Sequence, residues 1–259
     1  MGEPAGSVRS GDVGRVNADV RVRSERVAAP GRDRLGLGLI VASAVLLVVA
    51  VLMAFYYAPR ELTMGDVQRI FYFHVPSAWV GFFGFFVTFI ASIAYLIRGE
   101  RRWDILALSS AEVGLTFITA AVVSGSLWAR PVWGVYWTWE PRLTISAVQL
   151  LVYVAYVMLR AAAENPAQSA RFSAVYGIAA FVTVPLSWFA IRWWRAIHPD
   201  IITGGESAGL EPKMVQTLVF GVITFTVFYF AILRQRVRLE MSRDRLLQLK
   251  ELADSEWSR

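Results

Sequence analysis

Six stretches of this chain, residues 35–57, 77–97, 105–127, 143–159, 173–191 and 214–233, are long and evenly apolar. Crossing the hydrocarbon core of a bilayer takes about 20 mostly apolar residues. Inside lipid a chain must satisfy its own backbone, which leaves helices and closed barrels. None of the six shows the short alternation of a strand. The sequence therefore predicts an all-α integral membrane protein, a six-transmembrane-helix bundle over residues 35–235. The fourth segment is the shortest, and Pro185 predicts a kink in the fifth. A hydrophobic content of 56% in 259 residues excludes an ordinary soluble domain.

Charge gives the bundle a direction. The net charge is +6, but the basic residues gather at the chain ends and in short loops rather than in a stripe, which argues against nucleic acid. With the N-terminus inside, 19 of the 26 Lys and Arg residues fall on the inner side and 7 on the outer side. By the positive-inside rule both termini are expected in the cytoplasm, with the loops 58–76, 128–142 and 192–213 outside. Residues 1–34, with seven arginines, read as a disordered basic cytoplasmic arm. They are too long and polar for a cleaved signal peptide. "RGERRW" at 98–103 reads as a tight basic turn, and residues 236–259 as an amphipathic cytoplasmic tail. There is no Walker-type phosphate loop.

Cysteine is absent, so thiolate chemistry is excluded. Histidine occurs twice. His74 sits in "RIFYFHVPSAW" and His198 in "FAIRWWRAIHPD". Both are expected at the outer boundary of the membrane, with the outer loop ending at Pro76 and the second span starting just beyond. One reading gives each imidazole a neighbouring carbonyl and nothing more. The other notes their company: Phe71, Tyr72, Phe73 and Trp79 around His74, and Arg192, Trp193, Trp194 and Arg195 before His198. Two imidazoles are too few for an ordinary zinc shell without added carboxylates. They suit the two axial positions of an iron porphyrin, with aromatics against the macrocycle and arginines on its propionates.

"WARPVWGVYWTWEPRLT", Trp128 to Thr144, holds four tryptophans and a tyrosine. An interfacial aromatic belt is one explanation, since Trp and Tyr favour the headgroup level. A belt, however, spreads over several helices, whereas Trp133, Tyr136, Trp137 and Trp139 fall within seven residues. Gly134 is expected to give local freedom and close backbone approach. Glu140 and Pro141 are expected to start the fourth helix, with the acid near the positive end of the dipole. The stretch then forms a flat aromatic platform for a large planar ligand.

"WGVYWTWEPRLT", "RIFYFHVPSAW" and "WWRAIHP" together resemble, in order and spacing, the tryptophan-rich WWD family of heme-handling proteins in cytochrome c biogenesis. Within that family they resemble most the CcmC branch; CcmF and the CcsA/ResC proteins share the signature but are usually longer. The resemblance covers roughly residues 35–235. It implies heme b as a transported ligand held at the outer face of a bacterial inner membrane. His74 and His198 would be its axial ligands, and residues 133–144 the platform, within a WWD loop spanning 128–144. Trp128 belongs to the same aromatic group, and Arg130, Arg142, Arg192 and Arg195 are the candidate propionate partners. The resemblance further implies a CcmE-like heme chaperone as recipient, a CcmA/CcmB-like ATP-binding-cassette complex, a small CcmD-like protein, and no turnover reaction of the chain's own. The chain departs from the usual signature with Tyr136 for Trp, Glu140 for Asp and Pro141 for Ala. The proline is common in the CcsA-like branch, so a CcsA-type synthetase component that passes heme directly to apocytochrome remains an alternative. A small-solute permease with an ordinary belt is another.

Glu112, in "SSAEVGLTFITAAVVSG", lies well inside the third span, where a charge is costly. One reading has it line an inner cavity or a route for heme or protons; the favoured expectation is a neutral acid bonded to Ser109 or Thr116, or a side chain reaching the inner interface.

Overall fold

The computed structural model describes residues 33–162, 165–194 and 210–257. The arm 1–32 lies outside the described residues, as do Arg195 and His198. The described chain is helical: α1 (Arg34–Leu52), α2 (Phe71–Arg98), α3 (Arg101–Trp133), α4 (Pro141–Ala162), α5 (Pro166–Ala180), α6 (Thr183–Trp193) and α7 (Pro212–Trp257). A π-helical turn, Met53–Tyr57, extends α1, and a 3-10 turn, Asp66–Ile70, leads into α2. By length and hydropathy these elements supply six helices able to cross a membrane, with α5 and α6 sharing one. The break between those two falls at Phe181–Val182. Pro185 has no N–H for the Phe181 carbonyl four residues earlier, and so the expected kink lies here.

Several helices outrun their apolar segments. At 33 residues α3 is about 50 Å long, more than the hydrocarbon core requires. Its last turns take in Trp128–Trp133, which the sequence alone places in a loop. α2 likewise begins at Phe71 rather than after Pro76, because the 3-10 turn feeds straight into it. Pro76 cannot donate to the Tyr72 carbonyl. That carbonyl points at Gly221 of α7, where a Cβ would stand 3.2 Å away. The tail 236–257 continues α7 without a break.

The tightest joint is α2 against α3. A Cβ on Gly84 would lie 2.9 Å from the Gly114 Cα, and one on Gly81 would lie 3.1 Å from Ile118. Ser110 Oγ donates to the Gly84 carbonyl at 2.7 Å, and Thr88 Oγ1 donates to the Ala107 carbonyl at 3.3 Å. Small residues bring backbones into contact where lipid supplies no hydrophobic drive between helices. Beside this joint α7 adds Phe225, Tyr229 and Leu233 to a core with Val80, Val113 and Phe117. On the other flank Phe85 stacks on Tyr153 of α4.

Charges close the other end of the bundle. Asp104, at the start of α3, is buried and ion-paired with Arg160 of α4 and with Arg101. Glu112 departs from the expectation of a neutral acid bonded to Ser109 or Thr116. Arg236 of α7 grips it with a two-pronged fork, Nε to Oε2 at 2.5 Å and Nη2 to Oε1 at 2.9 Å, and also reaches Glu240 at 2.8 Å. The Thr116 hydroxyl donates instead to the Glu112 backbone carbonyl. The physical reason is reach: α7 runs far enough past its apolar segment to bring a guanidinium back along α3.

Two outcomes are expected from these contacts. Gly84→Val must push α3 away from α2 and should lower stability by about 1–3 kcal/mol in an unfolding titration. Gly38→Ala, where a Cβ meets nothing within 4 Å, should be neutral or mildly stabilising. Separately, Asp104→Ala should cost about 3–5 kcal/mol by stranding the Arg160 guanidinium, and Asp104→Leu with Arg160→Met should recover most of that loss.

Candidate ligand cleft

His74 sits one turn into α2, facing α3. The register of the glycine joint places it there: Gly84 opposite Gly114 and Gly81 opposite Ile118 continue, in antiparallel steps, to His74 opposite Gly125. Its Nδ1 lies 2.9 Å from the Ala121 carbonyl and 3.2 Å from Ser124 Oγ. A carbonyl only accepts, so Nδ1 carries the proton and donates, and the ring's lone pair sits on Nε2. Gly125 makes the room. A Cβ there would stand 2.8 Å from His74 Cε1. The imidazole is therefore gripped within the helix pair and is not on the surface loop that the sequence suggests.

The ring faces a cleft that is partly open to its surroundings. The inner floor is apolar: Phe82 and Ala78 from α2, Ile118 and Val122 from α3. The outer walls are aromatic. Trp128 and Trp133 come from the last turns of α3, with ring centroids 5.2 Å apart and nearly perpendicular. Tyr136 and Trp137 come from the short loop that follows. Arg142, Leu143 and Ser146 at the start of α4 complete the wall.

Local chemistry builds that loop. Gly134 caps α3 at φ +79°, a conformation other residues avoid, and its N–H donates to the Arg130 carbonyl at 2.9 Å. A Cβ at Gly134 would meet nothing, so its task is the turn and not the close approach expected of it. The Arg130 guanidinium donates to the Gly134 carbonyl and lies 5.6 Å from the Tyr136 ring centroid. Pro141 opens α4, and the Glu140 carbonyl accepts from the Thr144 N–H at 2.9 Å, as the sequence predicts. The Nε1 of Trp137 and the hydroxyls of Thr138 and Thr144 are buried without a hydrogen-bond partner among the described residues. Of these three residues only Trp137 lines the cleft.

The structure sorts the candidate residues. His74, Trp128, Trp133, Tyr136, Trp137 and Arg142 line one cleft. Trp139 does not: it is 77% exposed and meets Trp137 edge-on at 5.8 Å. Arg130 and Glu140 shape the loop instead of lining the cleft. Arg192 lies in α6, and Arg195 and His198 lie outside the described residues. The heading of α6 is nevertheless defined. Ser187 stands 3.5 Å from Ser146 of α4, so six residues on, Trp193 reaches the level where α4 begins. Trp193 there stacks on Phe189, 63% exposed. Sequence reasoning missed Ala121, Ser124 and Gly125, which hold the imidazole. Their signal is the small-residue run "AAVVSGS" within an otherwise bulky span.

The geometry can present one imidazole nitrogen to a flat, largely apolar ligand between aromatic walls, with a guanidinium at the side. No group of three or more His, Cys, Asp or Glu side chains comes together among the described residues. With ¹⁵N-labelled histidine, the ring assigned to His74 by its loss in His74→Gln should show the Nδ1–H tautomer. Gly125→Ala should disturb that signal, because the ring must leave the Ala121 carbonyl. Ser124→Ala should preserve it.

Comparison with known proteins supplies context for the cleft. A family model described as heme exporter protein C matches residues 25–251. The heme exporter protein C of Bradyrhizobium diazoefficiens is 30% identical over 217 residues, covering 83% of this chain and 82% of the relative. That of Rhodobacter capsulatus is 27% identical over 215 residues, covering 82% and 89%. That of Escherichia coli K12 is 27% identical over 201 residues, covering 77% and 81%.

Proposed function

This chain belongs to the CcmC family of heme exporter proteins, and on that premise we propose that it holds heme b in the His74 cleft and hands it on during cytochrome c maturation. The observation that carries the reading is the oriented imidazole opening between Trp128, Trp133, Tyr136 and Trp137. Heme is the cargo, and what it supplies is an iron with two open axial positions. The residues present suit it. His74 Nε2 would hold the iron on one side, the tryptophan and tyrosine faces would pack against the porphyrin, and Arg142 of the cleft wall would bond a propionate. His198, five residues past the Trp193 end of α6, would hold the iron on the other side. Arg192 and Arg195 flank it as further propionate partners, while Arg130 holds the loop in shape.

In this reading the cleft end of the bundle faces outward from a bacterial inner membrane, and both termini lie in the cytoplasm, in keeping with the 19-to-7 distribution of Lys and Arg. The exposed Trp139 edge is then available to a CcmE-like chaperone that receives the heme. A CcmA/CcmB-like complex and a CcmD-like protein complete the system. The chain acts by ligand exchange and presentation.

Heme content and absorption of the purified protein test the reading, with delivery to a chaperone measured in the same membranes. His74→Ala and His198→Ala should each shift the Soret band, and the double variant should lose defined axial ligation. Arg142→Ala should weaken retention by about 1.5–3 kcal/mol, the usual worth of a hydrogen bond to a charged group. Trp137→Ala and Trp139→Ala should keep measurable heme yet slow its transfer, since one aromatic contact contributes only about 0.5–1.5 kcal/mol beyond area burial. An unchanged Soret band in the double histidine variant would overturn the proposal.

A further inference from the structure

One face of α4 is polar where a membrane helix should be apolar. Ser146, Gln149, Tyr153, Tyr156 and Arg160 recur at steps of three and four residues, about 21 Å from first to last along a single side of the helix. At one end Ser146 lines the cleft; at the other Arg160 is ion-paired with Asp104. Between them Gln149, Tyr153 and Tyr156 are each 0% exposed. This face therefore looks neither to lipid nor to water but into the bundle.

Its polar atoms are conspicuously short of partners. Both amide atoms of Gln149 and the Tyr153 hydroxyl are buried with no hydrogen-bond partner among the described residues. The same holds for Ser92 Oγ on α2 and Ser173 Oγ on α5, each 0% exposed. Ser92 and Tyr156 meet at Gly177 of α5, where a Cβ would stand 3.1 Å from the Ser92 hydroxyl and 3.2 Å from the Tyr156 ring. Tyr153 packs in one cluster with Ile118 and Phe82, which also line the cleft floor. Tyr153 thus adjoins the cleft floor, and the orphaned atoms come from three helices.

Burying a polar group without a hydrogen bond is among the costlier things a fold can do, and native structures nearly always avoid it. A glutamine with both amide atoms unmet is the extreme case here, because it can donate two hydrogen bonds and accept two. We infer that Gln149, Tyr153 and the serines beside them bind water, forming a hydrated polar seam that continues the cleft inward along α4. Water is the ligand this set of groups fits. It donates and accepts at once, and one molecule typically makes about three hydrogen bonds to buried polar groups. Steps of three or four residues along α4 separate successive polar groups by about 4.5–6 Å of helix rise, a gap that one bridging molecule can span. The inference rests on these atoms alone and holds whatever the cleft carries.

Tyr229 provides an internal control. It too is 0% exposed, but its hydroxyl is satisfied by Ser110 Oγ at 2.7 Å. Pulsed X-ray radiolysis of the full chain in lipid nanodiscs generates hydroxyl radicals from bound water as well as bulk water, and oxidised tyrosines are read by mass spectrometry. A seam that holds water should make Tyr153 oxidise at least about threefold faster than Tyr229, because a resident molecule lies within reach of its ring. Equal rates at the two tyrosines in the unaltered protein would overturn the inference without need of any variant. Gln149→Leu in a folded sample should bring Tyr153 down to the Tyr229 rate and leave Tyr229 unchanged. Continued fast oxidation of Tyr153 in that variant would remove Gln149 from the site and overturn the assignment as stated.

Discussion

Backbone contact between α2 and α3 sets everything else in this protein. In lipid, two apolar helix faces gain little by meeting, so close association must come from packing and hydrogen bonds. Gly84 and Gly114 allow the backbones to touch, and Ser110 bonds across the contact to the Gly84 carbonyl. Once that point is fixed the antiparallel register is fixed along the pair. Toward the cleft it brings His74 to Gly125 and to the Ala121 carbonyl. Toward the other end it brings Thr88 to the Ala107 carbonyl, one turn from the buried Asp104.

The two ends of the bundle solve opposite problems. At one end Asp104 must be buried yet neutralised, and Arg160 and Arg101 do this at close range. Glu112 finds its guanidinium on α7 for the same reason, since a lone carboxylate at that depth would be costly. The ionic contacts cross-link α3 to α4 and to α7 at that end. The opposite end can then stay open. There α3 runs on past its apolar segment, turns at Gly134, and returns as α4, leaving indole and phenol rings around a gap that no core side chain fills. A cleft of this kind needs rigid walls, and helical Trp128 and Trp133 are more firmly placed than loop residues would be.

Much of the architecture was legible in the sequence. Length and hydropathy give six spans because the bilayer admits so few solutions, and Pro185, Pro141 and the "RGERRW" turn mark breaks and turns through local stereochemistry that needs no tertiary context. Much of the composition of the cleft could also be read: His74, Trp128, Trp133, Tyr136, Trp137 and Arg142 stand out by residue type and line it. Where the apolar pattern ends, however, the helix need not. The sequence places Trp128–Trp133 in a loop and ends an outer loop at Pro76, because hydropathy reports the lipid boundary and not the last hydrogen-bonded turn.

By itself, then, the sequence determined the class of fold, the number of spans and the kinds of side chain gathered near the third and fourth helices. These follow from one-dimensional constraints, bilayer thickness and backbone stereochemistry. Only the tertiary structure decided which nitrogen of His74 holds the proton, that Gly125 is the residue making space for its ring, that Glu112 is paired with Arg236, and that Trp139 faces away from the cleft. The His74, Gly125 and Glu112 contacts depend on the rotation and register of helices whose contacting residues are far apart in sequence. Contacts with such separations, 47 residues for His74 to Ala121 and 124 for Glu112 to Arg236, leave no local pattern to read.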